Sequence, residues 1–253
     1  MITDVNVDLS RWPSRRVPGD ETRALIARLR ARGVTQAWAG SYDAILYKDI
    51  AAVNARLAAD CRGDFLVPFG AVNPTLPDWQ EDLRRCREQF GMPGIRLIPN
   101  YHGYKLTDPV FAELLHKATA YRLIVQIAVT MEDTRTQSRF LRAAPTELTD
   151  FDRVVAAEPA ARVVLLNWPR GLGDDQQPSS LARARNVYFD IAGVEGIECI
   201  ARLAEQIPED RILFGSHSPF FCFESAQLKM RESGLSESRQ QAMLHGNAAK
   251  LLA

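Results

Sequence analysis

A single (β/α)8 TIM barrel with an additional C-terminal helix is the fold this sequence predicts, and three observations carry the reading. Eight short β-branched or apolar runs alternate with eight longer amphipathic stretches, the order expected of parallel strands joined by covering helices. The 253 residues match the roughly 250 that one such barrel occupies. The first strand runs into VDLSRWPSRR (residues 7–16), which lacks the glycine-rich phosphate turn that opens many doubly wound open sheets.

The strand candidates, in order, are Val5–Leu9, Val34–Ala39, Leu66–Val72, Gly94–Pro99, Ile124–Thr130, Arg162–Asn167, Val187–Ala192 and Arg211–Ser216. In the first, Val5, Val7 and Leu9 alternate with Asn6 and Asp8. Period-two geometry therefore predicts an apolar face toward the helices and Asn6 and Asp8 toward the barrel interior. Helices are expected over Glu21–Arg32, Ala44–Cys61, Asp78–Phe90, Asp108–Arg122, Thr149–Ala157, Pro178–Arg185, Glu195–Gln206 and Phe223–Ser233. In the first of these Leu25, Ile26 and Leu29 recur at helical spacing, with Arg23, Arg28, Arg30 and Arg32 on the other sides. Prolines and capping residues at Thr107-Asp-Pro, Leu76-Pro-Asp and Gln177-Pro-Ser open later helices. Glu237–Leu252 follows the eighth unit and is expected to lie across one barrel end. No Pro/Gly/Ser-rich linker divides the chain, so residues 1–253 are read as one domain, with Ser10–Asp20 and Met131–Leu148 as loops over the catalytic face.

Composition narrows the function classes. Lysine plus arginine (31) balance aspartate plus glutamate (31), so no basic field favours nucleic acid or an anionic membrane. Cys61, Cys86, Cys199 and Cys222 are scattered, without zinc-finger spacing or a disulfide framework. With no signal-like N-terminus and no run of about 18 apolar residues, a cytoplasmic location is the expectation.

In a (β/α)8 barrel the active site forms at the C-terminal ends of the strands, so polar residues interrupting the apolar runs there are the candidates. They are Asn6, Asp8, Arg96, Gln126, Asn167, Asp190 and, just past the eighth strand, His217. A lone polar residue near a strand end is ordinarily a satisfied structural group; convergence from several strands on one rim points to a site. Strands one and eight are neighbours on closure, so Asp8 and His217 are expected to form a carboxylate–imidazole pair, for acid–base work or as a structural link. The Arg96 guanidinium suits an anionic substrate group, or an internal salt bridge to Asp8 or Asp190. Tyr101 and His102 leave the fourth strand on the same face, and Trp12 and Trp168 follow strand ends where they would wall a pocket. His116 and His245 are read as non-catalytic, and the absence of a G-x-S-x-G elbow argues against a serine nucleophile. The run Phe220–Phe223 is left as pocket lining, barrel-mouth packing or a subunit contact, the last implying a homo-oligomer.

Residues 94–104 (GIRLIPNYHGY), 108–111 (DPVF), 211–216 (RILFGS) and 246–252 (GNAAKLL) resemble successive blocks of the amidohydrolase-related proteins, a branch of the amidohydrolase superfamily. The resemblance implies a His-x-His pair on the first strand, histidines on the fifth and sixth, and an aspartate after the eighth. This chain has Asn6 and Asp8, Ala128, Asn167 and His217 at those places. Zinc catalysis takes three protein ligands, and neither alanine nor a neutral amide serves well. No zinc and no other cofactor is therefore expected, with Asp8, His217 and His102 left as donors for a weakly held divalent ion. The resemblance implies a small-molecule hydrolase of lactones, amides or related carboxylated compounds, with His217 and Asp8, joined by His102, as catalytic groups. A decarboxylase or other lyase, or a non-catalytic ligand- or partner-binding barrel, are the alternatives.

Overall fold

The computed structural model describes residues 1–133, 135–168 and 179–253. Its centre is an eight-stranded parallel sheet in sequence order: β1 (Ile2–Leu9), β2 (Val34–Ser41), β3 (Leu66–Ala71), β4 (Gly94–Leu97), β5 (Ile124–Ala128), β6 (Arg162–Leu166), β7 (Val187–Asp190) and β8 (Ile212–Leu213). The ring closes where Val5 donates its amide to Phe214 O at 2.9 Å and Asp8 donates to Ser218 O at 2.9 Å. All eight expected strands are present. β4 stops at Leu97, because Pro99 opens a one-turn helix, α4 (Pro99–His102), and prolines suit a first helical turn. β8 is only two residues long, since Glu209–Arg211 form a 3-10 turn before it.

The covering helices are α1 (Thr22–Ala31), α2 (Ile50–Asp60), α3 (Trp79–Glu88), α5 (Pro109–Ala120), α6 (Phe151–Ala157), α7 (Ser179–Arg183), α8 (Cys199–Gln206) and α9 (Phe223–Arg231). The expected start of α7 at Pro178 lies outside the described residues. Ala44–Cys61 is not one helix: a 3-10 turn (Tyr42–Ile45) precedes α2, and Asp49 caps α2 through its carboxylate to the Ala52 amide at 3.0 Å. The apolar stripes of the helices meet the outward faces of the strands in one large cluster that includes Leu25, Leu29, Ile95, Val125, Phe111 and Phe189.

The expected C-terminal helix divides into α10 (Glu237–Gln241), a π turn over Ala242–Gly246 and α11 (Asn247–Leu252). Ala248 and Leu251 of α11 join the inward-facing Trp38, Phe69, Ile124, Val164 and Leu213. The helix thus closes the barrel at the N-terminal ends of the strands and leaves the opposite mouth for chemistry. The four cysteines are free, and among the described residues no helix is long and apolar enough to cross a membrane.

Candidate active site

Strand β1 supplies the floor of the mouth, with one departure from simple alternation. Its register against β2 shifts between Asp4 and Val7, the mark of a β-bulge. Val5 consequently packs inside the barrel with Trp38 and Phe69, while Val7 and Leu9 remain in the outer cluster. The expectation that Val5 shares their outer face is corrected by this extra residue. The freed amide of Asn6 is taken by Asp4 Oδ1 at 3.1 Å, and the same carboxylate accepts from the Ser216 amide at 3.0 Å. Asp4 therefore ties the bulge to the segment after β8. Burial pushes its carboxyl up to about 7 against the pull of its hydrogen bonds to Ser216 and Asn6.

Asp8 points inward as expected and meets Arg96 Nη1 at 2.7 Å. All five N–H donors of Arg96 are used: Nε to Gln126 Oε1, Nη1 to Asp8 and Val7 O, and Nη2 to Val5 O and Trp38 O. Gln126 in turn donates to Val5 O at 2.8 Å. Arg96 is thus committed to the internal salt bridge with Asp8, with no donor left to anchor an anion. The packing is close enough that Gly40 has no room for a side chain; a Cβ there would lie 2.6 Å from Arg96 Cδ and 2.8 Å from Asp8 Oδ1.

His217 lies opposite Asp8, with Nδ1 3.6 Å from Asp8 Oδ2, longer than a direct hydrogen bond and an ion pair only when the imidazole is protonated. Its Nε2 is 2.9 Å from the carbonyl of Met131. A carbonyl only accepts, so Nε2 carries the proton and Nδ1 is the side facing Asp8. Desolvation pushes the Asp8 carboxyl up, but Arg96 and then His217 more than reverse it and hold it below the usual carboxylate range. Phe220 stacks on the imidazole at 5.4 Å and Phe221 meets it edge-on at 4.8 Å, fixing the ring between apolar walls.

A second buried network binds β1, β6 and β7. Asn6 Nδ2 donates to Asn167 Oδ1 and to Asp190 Oδ2, both at 2.7 Å, and the Asn167 amide donates to Asp190 Oδ1 at 2.9 Å. Burial raises the Asp190 carboxyl above its ordinary range. Asn167 and His217 both have left-handed backbones, with φ of 52° and 54°. Such conformations cost a non-glycine residue about 1–3 kcal/mol and persist where surroundings over-determine them.

Above the floor sits an aromatic cap. Trp12, 2% exposed, meets Phe220 at 4.9 Å, Tyr42 at 5.2 Å and Tyr101 at 6.1 Å, all edge-on. Arg15 on the same loop pairs with Glu132 at 3.2 Å, joining the Ser10–Asp20 loop to the one that follows β5. An open groove of about 660 Å³ runs along the outer side of the cap, lined in part by Arg11, Trp12, Arg15, Tyr42 and Tyr47. His102 is turned aside, its Nε2 donating to Ala44 O at 2.8 Å, and burial lowers its basicity. Trp168 packs on Phe189 at 4.7 Å in the outer cluster rather than against the cap. Sequence reasoning missed Asp4, Tyr42 and Glu132. Tyr42, just past a strand end, carried a positional signal; the Met131 carbonyl carries none that any side-chain pattern could reveal.

A family model described as amidohydrolase matches residues 11–253. The chain belongs to the amidohydrolase family. No curated protein matches its sequence. Among solved structures, a 2,6-dihydroxybenzoate decarboxylase from Rhizobium superposes with a TM-score of 0.74 at 15% identity, covering 100% of this chain and 99% of that chain. Amidohydrolase 2 from Bifidobacterium longum subsp. infantis gives 0.69 at 16% identity, over 99% and 98% of the two chains. A 4-oxalomesaconate hydratase from Rhodopseudomonas palustris gives 0.71 at 17%, over 100% and 95%. These likenesses establish the barrel. In this amidohydrolase, Ala128 brings no ligand atom and Asp8 Oδ1 already faces a guanidinium. Among the described residues no three His, Cys, Asp or Glu side chains are grouped to share an ion. That donor set does not fit a zinc ion, which needs three protein ligands.

Proposed function

We propose that this amidohydrolase is an acid–base enzyme for a small cyclic substrate, hydrolysing a lactone or amide without zinc. The observation that carries the reading is His217, its Nε2 pinned to the Met131 carbonyl and its Nδ1 facing the Asp8 carboxylate at 3.6 Å. In the neutral ring Nδ1 holds a lone pair. It takes a proton from water as the water oxygen bonds to the acyl carbon, and Asp8 stabilises the imidazolium so formed. The proton then passes to the leaving oxygen or nitrogen as the acyl bond breaks. Arg96 serves by keeping Asp8 ionised and oriented, and the phenylalanines at 220 and 221 keep bulk water from the ring.

A second reading, decarboxylation or another lyase reaction, draws on the printed names of the structural neighbours, decarboxylases and a hydratase. There the proton held by His217 would go to carbon as the leaving group departs. A barrel that only binds its ligand is the outcome if no turnover is found.

The test is a screen of lactones, amides and aromatic carboxylates with metal-analysed wild type and His217→Asn. We expect turnover indifferent to chelator and reduced about 10²- to 10⁴-fold in the variant. Stoichiometric metal whose removal abolishes activity, or unchanged activity in His217→Asn, would overturn the reading.

A further inference from the structure

The mouth holds polar atoms that the chain itself leaves without partners. Asp8 Oδ2, His217 Nδ1, Tyr42 Oη, Tyr101 Oη and Glu132 Oε2 are all buried and unpaired. Buried polar groups ordinarily find a partner, so a group of orphans around one mouth calls for a cause. Asn6 Oδ1, Asn100 Oδ1 and His102 Nδ1 are unpaired as well, and Arg28 Nε of α1 and Tyr104 Oη are unpaired in the outer layer.

Glu132 is the most informative. Its side chain is 1% exposed although it sits on a loop. Oε1 accepts from Arg15 Nε at 3.2 Å, and the Arg15 guanidinium lies 4.8 Å from the centre of the Phe220 ring that stacks on His217. The carboxylate is thus held by one oxygen with the other offered to nothing. Carboxylate oxygens only accept, so both Glu132 Oε2 at the rim and Asp8 Oδ2 on the floor require donors. Against these two oxygens a free carboxylate would bring acceptors against acceptors; Arg96 has no N–H to spare for it, and the Arg15 charge is already offset by Glu132.

We propose that Glu132 is a specificity-determining residue that, with Asp8, selects a neutral ring compound bearing hydroxyl donors over a free carboxylate. The proposal rests on the reading of this mouth as the substrate site and replaces a carboxylated substrate with a hydroxylated one. Tyr42 and Tyr101, each able to donate or accept, complete the recognition, and the cap rings cover the faces of the bound ring.

The test measures binding, by calorimetry on the full chain, of three unreactive rings of equal size: myo-inositol, cyclohexanol and cyclohexanecarboxylate. We expect myo-inositol to bind at least about tenfold more tightly than either of the others, and Glu132→Gln to weaken it about 10- to 100-fold, the range for a hydrogen bond to a charged group. Arg15→Gln removes the latch but keeps the carboxylate, and should cost less than about tenfold, because the Arg15 side chain is half exposed. Urea midpoints confirm that each variant is folded. Equal or tighter binding of the carboxylate, no binding of myo-inositol, or equal losses in the two variants overturns the proposal. A parallel assay of δ-valerolactone turnover keeps the two readings apart. Turnover without a preference for hydroxyls leaves the acid–base function standing alone. The preference without turnover leaves the selectivity standing alone.

Discussion

The Arg96–Gln126 network on the floor of the barrel mouth and the cap above it treat hydrogen-bonding capacity in opposite ways. On the floor, Arg96 spends every donor and Gln126 uses both ends of its amide. In the cap, Tyr42, Tyr101 and Glu132 each keep a buried atom unpaired. A saturated network fixes geometry and has nothing to offer a ligand; an unsaturated one stays costly until something binds. Arg96 and Gln126 therefore position, while the cap and the open Asp8 Oδ2 are left for recognition, and variants in the two groups should behave differently.

The largest effect should come from cutting the floor. Arg96→Leu leaves Asp8 buried without its cation and takes the Arg96 donors from the carbonyls of Val7 and Trp38, and from that of Val5, which keeps Gln126. Breaking a buried pair from one side costs about 3–5 kcal/mol, to be read from urea unfolding. A loss under about 1 kcal/mol would mean that the floor is not the structural layer described.

Much of this floor is legible in the sequence, and what is hidden has physical causes. Alternation in β1 places Asp8 inward, and Arg96 and Gln126 share its interior because period two is a property of the strand itself. The bulge escapes the pattern, since the Asp4–Asn6 hydrogen bond that stabilises it is a three-dimensional event; Val5 is misassigned for that reason. The partners of Arg96 escape too. Three of them are backbone carbonyls, which every residue has. Glu132 lies in a loop and Tyr42 opens a 3-10 turn, where no period marks a facing direction, and only the fold brings Arg15 to Glu132 across more than 100 positions of sequence.

The bulge gives a smaller and pH-dependent effect. With the folded pKa of Asp4 raised to about 7 from an ordinary carboxylate value, the folded state binds the extra proton. Its contribution to stability is thus full at low pH and is lost as pH rises toward 7, with a slope of at most about 1.4 kcal/mol per pH unit. Asp190, shifted the same way, adds to this trend. Asp8, shifted downward, acts oppositely, stabilising above the ordinary carboxylate pKa and losing that contribution as pH falls further. Asp4→Asn should flatten the decline between about pH 4 and 7 without abolishing it. Urea midpoints across that range check the point, and an unchanged slope would remove Asp4 as its source.

The smallest change should be in the cap, and its smallness is the sharpest contrast with the floor. Tyr42 is fully buried, and desolvation with the nearby Asp8 charge raises its phenol well above the ordinary value, so it stays protonated. Its hydroxyl has no partner. Tyr42→Phe deletes that oxygen while keeping the ring that meets Trp12. Removing a satisfied hydroxyl costs about 1 kcal/mol; removing an unsatisfied one returns its desolvation penalty. The free protein should accordingly be as stable as wild type or more so, by up to about 1 kcal/mol, while binding of myo-inositol weakens. Stability and recognition move in opposite directions only if the cap's open valences exist for a ligand, so a parallel loss of both would place Tyr42 in the same saturated layer as Arg96.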